Sequence, residues 1–218
     1  MLAPLKRAIL PRTVRARRIP FGPAAGVVMD IDFAHQTRMF LGLYEFELNA
    51  RFRRLVRPGA RCFDVGANVG YHSLMLAKLS RRPVVAFEPD PEALARLRAN
   101  LALNPFEIHV VTQAVGAADS ATAGGTITLD RASRDHFMPD FVKMDIEGAE
   151  MDALKGAREL FSTKKPHWIV ETHGAAAHEA CLAIFRAHGY RPEDIRPRRF
   201  FAETRPAPTR WLVCEGCP

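Results

Sequence analysis

The sequence predicts an α/β domain on a mostly parallel sheet, with helices on both faces and an antiparallel strand at the C-terminal end. Three observations carry this. Short apolar segments alternate with longer amphipathic ones from about residue 61 to residue 189, as in repeated strand–helix units. The segment "PVVAFE" (83–88) is apolar without interruption, as a parallel strand covered on both faces must be. The glycine-bearing turn "DVGANVG" (64–70) joins the first such segment to the first amphipathic one.

Taken in order, residues 1–34 form a basic N-terminal arm and lead-in, rich in Pro, Arg and Gly over 1–26. Residues 35–218 form a single domain. In 37–56, Leu41, Tyr44, Leu48, Phe52 and Leu55 recur at spacings of three and four, the signature of one amphipathic helix ended by Pro58 and Gly59. "RCFDV" (61–65) reads as a strand, 71–80 as a helix, 83–88 as a strand, 91–104 as a helix and "EIHVVTQ" (107–113) as a strand. A Gly/Ala/Ser-rich loop (116–125) leads to "TITLD" (126–130), an alternating strand. "FVKMD" (141–145) is the next core strand, followed by a helix over 149–161 that turns Leu154, Ala157 and Phe161 inward. "HWIVET" (167–172) is a strand, 178–189 a helix, and "WLVC" (211–214) a last strand, antiparallel to one near Tyr190.

Bulk properties narrow the function. No apolar run approaches the length of a membrane span, and Pro4, Lys6, Arg7 and Pro11 interrupt any signal-peptide core, so a cytoplasmic location is expected. The net charge of +7 resides almost wholly in Lys6, Arg7, Arg12, Arg15, Arg17 and Arg18, ahead of the first acid, Asp30. Nucleic acid is therefore disfavoured as a partner, since a nucleic-acid enzyme more often carries its basic surface on the folded domain. Cys62 and Cys181 read as buried thiols. Cys214 and Cys217 form a CxxC with no second pair to complete a zinc site.

Ligands of parallel sheets bind beyond the carboxyl ends of the strands, where strand order reverses. That edge gathers 64–70, Glu88, Asp145–Glu150 and Glu171–His173. Gly66 and Gly70 allow tight turning, Asn68 lies between them, and the helix start behind them favours an anionic group. The pattern is GxxxG rather than the GxGxxG of dinucleotide sites. Glu88, at the end of the second strand, suits a ribose diol. Asp64 separates the candidate ligands: a carboxylate there repels a pyrophosphate but suits the cationic groups of S-adenosylmethionine. Asp145 and Glu147 follow the fourth core strand. Asp145 can stabilise a cation, bind a divalent metal that lowers a hydroxyl's pKa, or act as base. Glu150, in the first turn of the following helix, is expected mainly to support that helix. His173, beside Glu171 and Thr172, is the preferred imidazole base over His72. "NPF" (104–106) reads as a helix stop.

Together, "YEFE", "FDVGANVGYHSLMLAKL", "VVAFEPDPEALARLRANLALN", "TLD", "FVKMDIEGAEMDALKGA" and "IVETH" resemble the FkbM-type S-adenosylmethionine-dependent methyltransferases, from about Tyr44 to Gly189. The resemblance implies a class I methyltransferase (Rossmann-like) fold acting on a hydroxyl of a sugar, polyketide or lipid-like metabolite. Asp64, Gly66, Asn68, Gly70 and Glu88 match the family's cofactor motifs, and Asp145 and Glu147 its late acidic motif. The stretch from Val115 to Thr126 is shorter than usual in the family. The competing readings are an RNA or protein methyltransferase, favoured only by the basic arm, and a non-catalytic binding protein or NAD-linked oxidoreductase of related fold. The methyl acceptor and the oligomeric state are not legible.

Overall fold

The computed structural model describes residues 13–120, 122, 124–197 and 209–216. A seven-stranded sheet forms its centre. Its strands are β3 (Cys62–Val65), β4 (Val84–Phe87), β5 (Ile108–Val111), β8 (Phe141–Met144), β9 (His167–His173), β10 (Glu193–Ile195) and β11 (Thr209–Cys214), in the spatial order β10-β11-β9-β8-β3-β4-β5. β5, β4, β3, β8 and β9 run parallel. β11 lies antiparallel between β9 and β10, so the expected antiparallel C-terminal strand is present.

Alternation along the strands divides the core in two. Cys62, Val84, Phe141 and Ile169 face one apolar cluster with Leu74, Met75 and Leu76 of α3 (Tyr71–Ser80). Phe63, Val85, Val142, Trp168 and Val170 face the other, with Leu154 and Ala153 of α6 (Glu150–Lys155) and Phe185 of α7 (Ala175–Ala187). Both faces are covered, which is why these strands are mostly apolar, with Asp64 of β3 and Lys143 of β8 as buried charged exceptions. No helix of the described residues is long and apolar enough to cross a membrane.

Four sequence expectations need correction. The single helix over 37–56 is interrupted: α1 (Thr37–Phe40), a 3-10 turn (Phe46–Leu48) and α2 (Asn49–Leu55) replace it. Gly42 has φ +66°, and a Cβ there would lie 2.5 Å from the Phe21 carbonyl oxygen. The chain turns at this left-handed glycine, leaving Leu41 37% exposed while Leu48, Phe52 and Leu55 are buried. "TITLD" is not a strand throughout. β7 (Thr126–Ile127) pairs with β6 (Ala114–Val115), and α5 (Leu129–Asp135) starts immediately after. Thr128 caps it, its hydroxyl accepting from the Arg131 N–H at 3.0 Å. The helix over 149–161 ends at Lys155, and a π turn follows at Leu160–Lys164.

The fourth correction concerns the lead-in. β1 (Arg15–Arg18) and β2 (Val28–Ile31) form an antiparallel hairpin. Ile19, Val27, Met29 and Ile31 are buried in the first core cluster, so packing does not begin at residue 35. Arg17 sits over the Phe33 ring at 5.0 Å, and Arg18 donates to the Gly26 carbonyl. Two asparagines of α4 (Pro91–Ala102) and its exit fix the hairpin's free edge. Asn100 Oδ1 accepts from the Asp30 N–H, and Asn104 both accepts from and donates to the Val28 backbone. Asn104 thus ties an edge strand as well as following a helix end. Of the CxxC cysteines, Cys214 is a buried free thiol, and Cys217 lies outside the described residues.

Candidate active site

Strand order reverses between β3 and β8, and their carboxyl ends carry the site. In-register pairing puts Asp64 beside Lys143. Asp64 is fully buried. The Ser73 hydroxyl donates to its Oδ2 at 2.5 Å, and Lys143 Nζ is 3.5 Å from its Oδ1. Lys143 also donates to the Gly66 carbonyl at 3.1 Å and stands 3.9 Å from Asp145 Oδ2. Burial alone would drive this ammonium toward the neutral amine. Asp64, Asp145, Glu45 and Glu171 outweigh that and raise its pKa. Asp64 therefore stands behind a protein cation, not open to a ligand's cationic groups as its position suggested. Lys143 was passed over in the sequence. The signal was a lone lysine inside an apolar strand, which must find an acid if it is buried.

The glycine loop meets the end of β8. A Cβ on Gly66 (φ +79°) would lie 1.8 Å from the Asp145 carbonyl oxygen, so only glycine permits this approach. Asn68, exposed and also at positive φ, donates its N–H to Glu88 Oε2 at 2.7 Å, while the Asp90 N–H donates to Oε1 at 2.9 Å. Glu88 thus ties the loop to the end of β4. Asn100 Nδ2 donates to the Val69 carbonyl at 2.8 Å, coupling the loop to the N-terminal hairpin. Gly70 begins α3 with no side-chain cap, which leaves first-turn N–H groups for an anion.

His173 closes β9 and gathers carboxylates. Its Nδ1 is 2.8 Å from Glu150 Oε1, and its Nε2 is 3.6 Å from both Asp145 Oδ1 and Glu171 Oε1. Glu171 is held in turn by Trp211 Nε1–H at 2.9 Å, its cross-strand partner on β11. Glu150 stands in the first turn of α6, as expected, and is fully buried. Burial would raise its pKa, but hydrogen bonds from His173 and the Gly148 N–H bring it below the ordinary carboxylate range. The same bond to Glu150 raises the pKa of His173 against the effect of burial. A carboxylate at Nδ1 orients the ring and turns Nε2 toward Asp145 and Glu171. Donor atoms of Asp145, Glu171 and His173 all lie within 4.8 Å of one another.

Two candidates fall outside this cluster. Glu147 is exposed in a left-handed turn (φ +48°), and among the described residues no hydrogen bond or ion pair ties it to the others. His72 is buried, and its pKa is lowered to about 3 by burial and Lys143, with Asp64 and Asp145 opposing. It stacks on Phe52 with its Nε2 3.3 Å from Glu45 Oε2. A neutral imidazole so placed is a poor base, whereas His173 keeps its place beside Asp145.

Residues 125–192 match the family model described as the methyltransferase FkbM domain. Over 134 residues the chain is 26% identical to hexuronic acid methyltransferase AglP of Haloferax volcanii, covering 51% of this chain and 55% of that protein. The chain thus spans about half the length of this curated relative. Among solved structures, methyltransferase FkbM from Methylobacillus flagellatus superposes with a TM-score of 0.54 at 20% identity, covering 83% of this chain and 54% of that one. Aeropyrum pernix fibrillarin, with natively bound S-adenosyl-L-methionine, superposes with a TM-score of 0.53 at 11% identity, covering 73% and 68%. These likenesses establish the class I, Rossmann-like fold. With the matched domain and the motifs ordered along one sheet edge, the chain is similar to the FkbM-type S-adenosylmethionine-dependent methyltransferases.

Proposed function

We propose that the protein transfers a methyl group from S-adenosylmethionine to a hydroxyl oxygen of a small, sugar-like acceptor. The observation that carries this reading is the convergence of Asp145 and His173 beside the glycine loop, at the point where strand order reverses. The cofactor fits the residues present. The uncapped start of α3 suits its carboxylate, the 66–70 loop permits close backbone approach, and Glu88 borders the loop where a ribose diol would lie. When bound, the cofactor supplies a methyl carbon made electrophilic by its sulfonium. Asp145 and His173 would take up the acceptor hydroxyl's proton as its oxygen accepts the methyl group. Lys143 pairs with Asp64 at 3.5 Å and stands 3.9 Å from Asp145, placing a fixed positive charge beside the cluster.

The hexuronic acid methyltransferase relative supports a sugar-class acceptor. Calorimetry tests the cofactor: S-adenosylmethionine should bind and NAD should not. Glu88→Ala should weaken that binding by about 1–3 kcal/mol through lost hydrogen bonds; an unchanged affinity counts against the assignment. Labelled methyl should pass to carbohydrate fractions of an extract. Label found only in RNA or protein would redirect the acceptor.

A further inference from the structure

We infer that Asp145, Glu171 and His173 form a divalent-cation site. The inference deepens the proposed reading, because the cation would act on the acceptor hydroxyl, but cation binding itself stands independently of it. The donors come from the rigid ends of two adjacent, register-paired strands, β8 and β9. They comprise two carboxylate oxygens and one imidazole nitrogen, a hard and borderline set that suits Mn²⁺ or Mg²⁺. His173 Nε2 stands 3.6 Å from each carboxylate oxygen. That is too far for a hydrogen bond, yet two donors so spaced can share an ion lying about 2.0–2.2 Å from each.

The surroundings supply a second, independent indication. Glu150, fully buried, takes the Nδ1 side of His173 at 2.8 Å, and its own Oε2 has no hydrogen-bond partner. A carboxylate behind a histidine fixes the ring and its tautomer and makes the outer nitrogen a better ligand. Trp211 orients Glu171 in the same way, through its Oε2, and leaves Oε1 toward His173. Three protein ligands leave coordination positions open on a six-coordinate ion. An acceptor hydroxyl bound there would have its pKa lowered beside the methyl donor.

The test uses the full chain and Mn²⁺ as probe, with free Mn²⁺ followed by electron paramagnetic resonance. One ion should bind per chain. Glu171→Gln and His173→Gln should each weaken binding at least tenfold, while Asp152→Asn, an exposed acid paired with Lys155, should not change it. Circular dichroism and S-adenosylmethionine calorimetry in metal-free buffer check that each variant is folded. Should both cluster variants unfold, Glu150→Gln serves instead, with an expected loss of about 10–100-fold in Mn²⁺ affinity. Absence of Mn²⁺ binding at millimolar concentration, or affinity unchanged in folded cluster variants, overturns the site. If S-adenosylmethionine binds but Mn²⁺ does not, the cation site falls and the methyl-transfer reading stands. If Mn²⁺ binds but S-adenosylmethionine does not, the site stands and that reading falls.

Discussion

Two aspartates bracket the same strand and differ in how completely their partners satisfy them. Asp140 precedes β8 and Asp145 follows it, and their side chains are similarly accessible, at 29% and 22%. Their partners differ. Asp140 is saturated: Lys164 Nζ lies at 2.7 Å, the Arg61 N–H at 2.8 Å and Arg61 Nε at 3.3 Å. Asp145 has His173 at 3.6 Å and Lys143 at 3.9 Å, surrounding its carboxylate without bonding it. A gap of that size, held by rigid strand ends, leaves room for an atom between the groups. Spacing of the partners, more than exposure of the acid, distinguishes the two ends.

The largest expected effect follows from that gap. Asp145→Asn preserves shape and removes charge, and should lower methyl-transfer turnover by about 10²–10⁴. Asp140→Asn should leave turnover unchanged. Equal losses in the two variants would erase the comparison, and near-full turnover in Asp145→Asn would remove Asp145 from the centre of the chemistry.

Next comes Lys143. Lys143→Met strands fully buried Asp64 without its cation and should cost about 3–5 kcal/mol of stability by urea unfolding. Adding Asp64→Asn should recover part of that loss. At the other end of the strand, Lys164→Met removes a partly exposed partner and should cost no more than about 1 kcal/mol. Similar costs at both ends would mean that burial of the charges does not control their coupling.

Smaller again is the effect of Glu150. Glu150→Gln leaves the chain's bond to the His173 ring weakened but not removed, and turnover should fall by about 10–100-fold with little change in KM for the methyl donor. A purely structural role would instead lower the melting temperature and leave kcat in proportion to folded protein.

These residues also mark how much the sequence disclosed. The mostly parallel sheet, its two covered faces and the edge that gathers Asp145 and His173 followed from alternation and from the rule for parallel sheets. Glu150 did not, because its partner His173 is 23 residues away and only the packing of α6 on α7, and of α7 on β9, brings them together. Lys143 and Asp64 lie 79 residues apart and meet through strand register, which local periodicity does not encode. Residues 15–34 looked like a lead-in because two short strands of four residues among arginines and prolines carry little apolar pattern. Their burial rests on side chains of α4 and on Ile19, which a truncation of the first 20 residues would remove. The helix over 37–56 breaks at Gly42, whose left-handed φ and closeness to the Phe21 backbone leave no room for a side chain.

The smallest effect concerns pH at the structural end. Burial pushes the Asp140 carboxyl upward, but hydrogen bonds from Lys164, the Arg61 N–H and the Arg61 side chain more than reverse this and hold it below its ordinary value. A carboxylate whose folded pKa lies below the unfolded value of about 3.9 binds protons more weakly in the native state. Its stabilising contribution is therefore complete above that unfolded pKa and is lost as pH falls through the folded one. Partial exposure limits the contribution to about 1 kcal/mol or less. Urea unfolding from pH 6 down to pH 2 should show a shallower acid loss of stability in Asp140→Asn than in the parent chain, the curves converging at the lowest pH. Parallel curves over the whole range would show that the Arg61 and Lys164 bonds do not favour the ionised form. The saturated end of β8 would then be no better partnered than the open one.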